Sequence, residues 1–392
     1  MSRLTPRILS LAPEVAAWRQ DLHAHPELQY DCHRTAGVVA DKLRAFGVDE
    51  VVTGLGQTGV VGVIRGKTNT SGRTVALRAD MDALPIFEET NLAHASREPG
   101  KMHACGHDGH TAMLLGAAKV LSESRDFDGT VGLVFQPAEE GGAGAKAMLD
   151  DGIVERFGIQ NFFGMHNLPG MPIGAFGMRN GPIMAATVQF TVTIDGRGSH
   201  AAMPHQSVDP VVIASHMITA LQTISARATD PLKSVVVSVT AIHAGSAFNV
   251  IPSSAELKGT VRFLEREVGE VAEARFRAIV DHTARMFGAQ AHIAYNYGYP
   301  VTVNHAAETA MVADVAAGVA RSGAQDVNTA LPPMMGGEDF SFMLEARPGA
   351  FIFIGNGDSA SLHNPAFDFN DAAIPYGMAY WTSVVHTALP AR

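Results

Sequence analysis

The sequence predicts an α/β protein whose catalytic-sized domain, a mixed sheet flanked by helices, is interrupted by a smaller ferredoxin-like α+β domain. Three observations predict it. First, "TVALRAD" (74–80), "TVGLVFQ" (130–136), "NFFGMH" (161–166) and "GAFIFIG" (349–355) are short runs of apolar, β-branched or aromatic residues that read as buried strands. Second, "HTAMLLGAAKVLSES" lies between the first two runs, with Met113, Leu114, Ala117, Ala118 and Leu121 at helical spacing, and strand, helix, strand implies a sheet with helices on its faces. Third, the middle of the chain reads β-α-β-β-α-β, the order of a split ferredoxin-like unit.

In chain order, a helical pattern runs from Val15 to Phe46, interrupted by Pro26 and stopped at Gly47. The middle segment reads as strand 187–196, helix 210–227, strands 234–245 and 255–264, helix 268–287 and strand 291–299. Val188, Phe190, Val192 and Ile194 alternate cleanly, as in a sheet with one face under helices and the other wet or paired. Edges of such a small sheet need covering, and a second copy of the chain would cover them, so a homodimer through this segment is expected, or a tetramer built from it. After Pro300 the pattern returns to the first domain with a helix over 307–323, the strand at 349–355 and a last helix over 377–388. The expected boundaries are 1–183 and 300–392 for the larger domain and 184–299 for the smaller, dimer-forming domain.

Composition narrows the function. The chain has 392 residues, 46% hydrophobic and 17% charged, enough for more than one core. Acidic residues number 39 against 29 Lys plus Arg, and no basic block with interleaved aromatics occurs, which argues against nucleic acid. No apolar run approaches a membrane span, and the first residues lack the h-region of a signal peptide, so a cytoplasmic location is the expectation. Cys32 and Cys105 are too few for a disulfide framework and remain thiols in a reducing compartment.

The chemistry gathers at strand ends. Asp80 and Asp82 follow the first strand, Glu139 and Glu140 the second, His166 closes the third, and His363 follows the fourth. Ligands of open α/β sheets bind outside the carboxyl ends of the strands. "MHACGHDGH" (102–110) enters the helix between the first two strands, and Cys105 and His107, two residues apart on a loop, can reach one cation. A structural zinc site wants four closed ligands, typically paired cysteines, and no second Cys is near. Mixed Cys, His and Glu ligation with open positions suits a catalytic metal, and a cysteine nucleophile would leave the other His and Glu residues without a role. Adjacent Glu139 and Glu140 fit a division of labour, one on metal and one accepting a proton from metal-bound water. The reaction is then metal-assisted hydrolysis.

"LHAHPEL" (22–28), "RADMDALP" (78–85), "MHACGHDGHTAMLLGAA" (102–118), "FQPAEEGGAGA" (135–145), "GMHNLPG" (164–170), "GRGSHAAMPH" (196–205), "FNVIP" (248–252), "MGGEDFS" (335–341) and "LHNPAFDFND" (362–371) together resemble the M20 metallopeptidase/aminoacylase superfamily. They resemble most its amidohydrolase branch of hippurate hydrolases, N-acyl-amino-acid deacylases and auxin-conjugate hydrolases. The resemblance implies two divalent metal ions, zinc, manganese, nickel or cobalt, held by Cys105, His107, Glu140, His166 and His363, with Glu139 as general base. It also implies that His200 reaches the partner subunit's site to stabilise the oxyanion, and that Asn249 and Arg262 hold the free carboxylate of the substrate. The wider superfamily starts its metal site with His-x-Asp after the first strand, and here that slot reads Arg78-Ala79-Asp80. Arg cannot ligate a cation, so Asp80 and Asp82 are expected to orient ligands. His103, Asp108 and His110 stand outside the expected ligand set. Glu338 and Asp339 read as the start of a helix, with a substrate-facing role for Glu338 left open.

The expected activity is hydrolysis of the amide of small N-acyl amino acids, hippurate-like or N-acetylated, by a metal-bridged hydroxide. A dipeptidase or carboxypeptidase on the same scaffold is the alternative. A metal- or ligand-binding protein without turnover is a third reading, and a second carboxylate beside a ligating one argues against it.

Overall fold

The structure is a computed structural model and describes residues 4–391. It divides into two compact units: one runs to Ile183 and resumes with Val303–Pro332 and again from Asp339, and the other comprises Met184–Thr302 and Pro333–Glu338.

The first unit is built on an eight-stranded mixed sheet in the order Glu50–Leu55, Gly59–Arg65, Thr130–Gln136, Thr74–Asp80, Asn161–Leu168, Gly349–Gly355, Phe176–Gly177, Val327–Asn328. The four central strands, those read from the sequence, are mutually parallel. Thr74–Asp80 and Gly349–Gly355 are buried at every position, which is why they lack the alternation of a half-wet strand. The helix between the first two spans His107–Ser124, and its buried residues lie on all sides, as befits an element packed under other helices. Pro6–Ala24 and Ile374–Ala388 pack against it. The pattern over 15–46 resolves into two helices, Pro6–Ala24 and His33–Ala45, separated around Pro26. The antiparallel hairpin Glu50–Arg65 is an addition to the sequence reading. Gly54, Gly56, Gly59 and Gly62 interrupt its strand signal, and Gly56, at φ +52, supplies the turn.

The second unit has a four-stranded antiparallel sheet in the order Val235–Ala244, Ser254–Phe263, Ala186–Asp195, Gln290–Tyr297. With helices Pro210–Leu221 and Arg266–Met286 this is the ferredoxin-like arrangement. Val188, Phe190, Val192 and Ile194 share a core with Ile213, Met217, Phe276 and Val280 from the helices. Gln189 on the opposite face is exposed, as the period of two requires. The helix read over 210–227 ends at Leu221 and continues as one π-helical turn, Ile224–Ala228.

Candidate functional site

The site sits where the central parallel strands of the first unit end. Past Gln136 the chain makes a tight loop with Ala138 and Ala143 at φ +55 and +57, conformations that an L-residue adopts only when its surroundings hold it there. Asp82, two residues beyond the neighbouring strand, supplies part of that hold: its two carboxylate oxygens accept the backbone amides of Glu139 at 2.9 Å and Glu140 at 3.1 Å. Gln29 closes the loop from the other side, taking the Ala138 amide on its carbonyl and donating its side-chain amide to the Glu140 carbonyl. The glutamate pair is thereby fixed through its backbone.

Cys105 and His107 are set by the turn at Gly106, φ +90, where a Cβ would stand 2.3 Å from the Asn167 amide nitrogen. Only glycine fits. Asn167 donates its side-chain amide to the Cys105 carbonyl at 2.6 Å and so ties this loop to the end of the Asn161–Leu168 strand. His107 Nδ1 lies 2.7 Å from the Asp82 carbonyl oxygen, and His166 Nδ1 lies 2.7 Å from the Asn167 carbonyl oxygen. A carbonyl only accepts, so each Nδ1 carries the proton and each Nε2 presents a lone pair.

Those lone pairs converge. Cys105, His107 and His166 bring one ligand atom each to within 4.8 Å of one another, as do Cys105, Glu140 and His363, and as do His107, Glu139 and Glu140. His363, at φ +63, is anchored by its amide to the Ala104 carbonyl at 2.8 Å, and its Nε2 lies 3.3 Å from Glu140 Oε1. The structure thus brings together Cys105, His107, Glu139, Glu140, His166 and His363, from four separate stretches of chain. Among the described residues, His107 Nε2 is buried without a hydrogen-bond partner. Buried polar atoms are rarely left so unless something absent from the protein chain completes them, and soft thiolate, neutral imidazole and carboxylate together are a donor set for a transition-metal or zinc cation. The residues fit the metal.

Electrostatics point the same way at His166, whereas the acidic neighbours of His107 favour its charged form. Burial pushes the Cys105 thiol up, with the Glu140 charge adding to it, and a cation would hold the thiolate instead. Burial also holds His166 well below the usual imidazole range, so that its ring is neutral as a ligand must be. His107 is desolvated too, but Asp80 and Cys105 outweigh burial and raise it.

Of the residues excluded from the expected ligand set, His103 is buried with neither ring nitrogen hydrogen-bonded among the described residues, while Asp80 and His110 gather with His107 but are engaged by other groups. His110 Nδ1 meets Asp80 Oδ1 at 2.6 Å and its Nε2 accepts the Asn167 amide at 2.9 Å, so neither nitrogen is available. Asp80 also pairs with Arg78 at 2.7 Å, and Arg78 in turn holds Gln136 and Asp339 at 2.8 and 3.0 Å. The guanidinium in the His-x-Asp slot is therefore a buried clamp across strand ends. Asp108 receives His23 Nδ1 at 2.8 Å, with Arg19 at 3.6 Å. Sequence reasoning missed Asn167 and Gln29, whose work goes through backbone groups.

On the second unit, His200 pairs with Val250 in the short ladder of Ser199–His200 and Val250–Ile251, and its Nδ1 accepts the Ala202 amide at 3.1 Å. Asn249 is exposed, and its carbonyl accepts the Ala201 amide at 3.0 Å. Phe248 and Val250, beside it, are exposed apolar side chains. Arg262, on the Ser254–Phe263 strand, is part-buried, and desolvation lowers its pKa.

Comparison with known proteins gives a family match over residues 76–387, to the family described as peptidase family M20/M25/M40. The chain is 40% identical to a hippurate hydrolase of Campylobacter jejuni over 97% of this chain and 98% of that protein. It is 41% identical to an N-acetyl-L-cysteine deacetylase of Bacillus subtilis, covering 93% and 86% of the two chains. It is also 41% identical to thermostable carboxypeptidase 1 of Saccharolobus solfataricus, covering 87% and 86%. Among solved structures, the Bacillus subtilis YXEP protein, described as a dinuclear metal binding peptidase from the M20 family, superposes with a TM-score of 0.84 at 33% identity, covering 98% of this chain and 100% of that one.

Proposed function

The chain belongs to the M20/M25/M40 peptidase family, in its amidohydrolase branch, and from that premise we propose that it hydrolyses the amide bond of small N-acyl amino acids, hippurate-like or N-acetylated. It is a metal-binding hydrolase. The observation that carries the hydrolytic reading is the paired glutamate loop, whose two carboxylates both lie among the gathered ligand atoms, and the hippurate hydrolase and N-acetyl-L-cysteine deacetylase among the relatives favour the N-acyl substrate.

Cys105, His107, Glu140, His166 and His363 would hold two divalent cations. When bound, the cations supply Lewis-acid polarisation of the scissile carbonyl and lower the pKa of the attacking water. Glu139 takes a proton from that water as the C–O bond forms, and returns it to the nitrogen as the C–N bond breaks, releasing the carboxylic acid and the free amino acid. Asp82 and Gln29 keep Glu139 in place through its loop. Through a homodimer mediated by the second unit, His200 would reach the partner subunit's site and donate to the developing oxyanion there, and Arg262 and Asn249 would hold the substrate carboxylate.

The carboxypeptidase among the relatives favours a second reading, cleavage of peptides at a free carboxyl end. One panel separates the two: benzoyl-glycine and N-acetyl amino acids against unblocked dipeptides and longer peptides, with the metal-loaded protein. The proposal expects kcat/KM for the blocked amino acids to exceed that for peptides by tenfold or more, and the reverse ranking overturns it.

A further inference from the structure

The helix Arg266–Met286 carries four arginines, and three are paired one turn away: Arg266 with Glu270 at 3.1 Å, Arg277 with Glu273 at 2.7 Å and Arg285 with Asp281 at 2.9 Å. Arg275 is the exception. Its neighbours three and four residues away are Val271, Ala272, Ala278 and Ile279, none of which can take its charge. Instead it lines a cavity of about 530 Å³ between this helix and the segment that ends the preceding one.

Arg227 lines the same cavity, and among the described residues its guanidinium donates only to the carbonyl of its own neighbour Ala226, at 2.9 Å. His282, two turns beyond Arg275 on the same helix face, adds a third nitrogen donor, and Thr283 also lines the cavity. No residue lining the cavity is acidic. That is unexpected in a chain of net charge −10, whose other helix-surface arginines here are neutralised in place. Arg227 stands on the π-helical turn Ile224–Ala228, a distortion frequent at functional sites.

We propose that this cavity binds a doubly charged tetrahedral oxyanion, free phosphate or the phosphoryl group of a small phosphate monoester, between Arg227 and Arg275. Two guanidinium forks and an imidazole present more donors than one carboxylate can accept, whereas a phosphate dianion has three or more oxygens to share among them. The volume lies within the range of small-molecule sites and exceeds that of inorganic phosphate alone, which leaves room for the alcohol part of an ester. The site is separate from the hydrolytic residues and does not depend on the substrate reading above.

The test is calorimetric titration of the metal-loaded full chain with inorganic phosphate and with glycerol 3-phosphate, at constant ionic strength. Because phosphate can also bind metal, the deciding quantity is the difference between variants. R227Q/R275Q removes the two unpaired charges, and R266Q/R285Q removes two paired charges from the same surface. The proposal expects at least a tenfold affinity loss in the first and less than twofold in the second, with hydrolysis in phosphate-free buffer and melting temperature unchanged in both. Single R275Q serves if the double variant is poorly behaved. Binding of both probes assigns recognition to the phosphoryl group, and binding of phosphate alone assigns the free anion. Equal losses in the two variants, no variant-sensitive binding at millimolar phosphate, or equally tight binding of succinate would each overturn it.

Discussion

Asp82 accepts the backbone amide of Glu139 at 2.9 Å, so a carboxylate at the end of one strand sets the position of a glutamate on the loop after the next. Its second oxygen takes the Glu140 amide, and its own backbone carbonyl fixes the His107 ring. Asp82→Asn keeps the size but turns one acceptor into a donor facing an N–H. Partners of this kind are worth about 10- to 100-fold in activity or metal affinity. The expected result is a kcat loss in that range with a smaller change in KM. A kcat within twofold of wild type would show that the loop holds itself.

Glu139→Gln removes the proton acceptor while preserving shape and the backbone contacts to Asp82. Hydrolysis of an N-acyl amino acid should fall about 10²- to 10⁴-fold, the usual worth of a general base. Metal content by elemental analysis should stay at the wild-type level, because Glu140 and the other ligand residues are untouched. Retained activity would reassign the base.

How much of this was legible in the sequence follows from what each residue does. The central strands declare themselves because burial on both faces demands unbroken apolar runs, and the residues at their ends carry recognisable chemistry. The Glu50–Arg65 hairpin was hidden because its glycines break the pattern that strands are read by. Asn167 and Gln29 act on backbone amides and carbonyls, which no side-chain spacing marks, whereas Asp82 stood out by its place at a strand end and does orient the glutamate loop. The Arg78 clamp was legible only in the negative, as a residue that cannot ligate metal, since its partners Gln136 and Asp339 lie 58 and 261 positions away.

Cys105→Ser tests the thiolate. Two ligand triads share Cys105, one with His107 and His166 and one with Glu140 and His363. A serine hydroxyl stays protonated near neutrality and is a poor donor to a soft-tolerant cation. Bound metal per chain should drop first, and activity should be restored in part by excess metal in the assay. Full metal content with lost activity would instead favour a chemical role for the thiol.

Gly109, one turn from the ligand motif, faces the ring of buried Phe369, and a Cβ there would stand 2.4 Å from two ring carbons. Gly109→Ala gains about 1 kcal/mol of helix propensity. Overpacking against a ring that has nowhere to go costs about 1–3 kcal/mol, so the balance should be destabilising. Thermal or urea denaturation should show a lowered midpoint, and a raised one would mean that Phe369 yields.

His23 gives the pH dependence of stability. Burial alone would lower its pKa, but hydrogen bonds to Asp108 and then Glu88 outweigh burial and raise it to about 9, against 6.5 for a free imidazole. A raised folded-state pKa means that the folded chain binds the proton more tightly than the unfolded one. The resulting stabilisation is complete below pH 6.5 and is lost as pH rises through about 9. The span corresponds to an effect on the order of 3 kcal/mol. His23→Gln cannot carry the charge and leaves Asp108 with Arg19, so it should be less stable than wild type at pH 6, with the gap narrowing steadily toward pH 9.5. Urea denaturation of both proteins across that range measures the gap directly, and a constant difference would mean that His23 is uncharged in its buried pair.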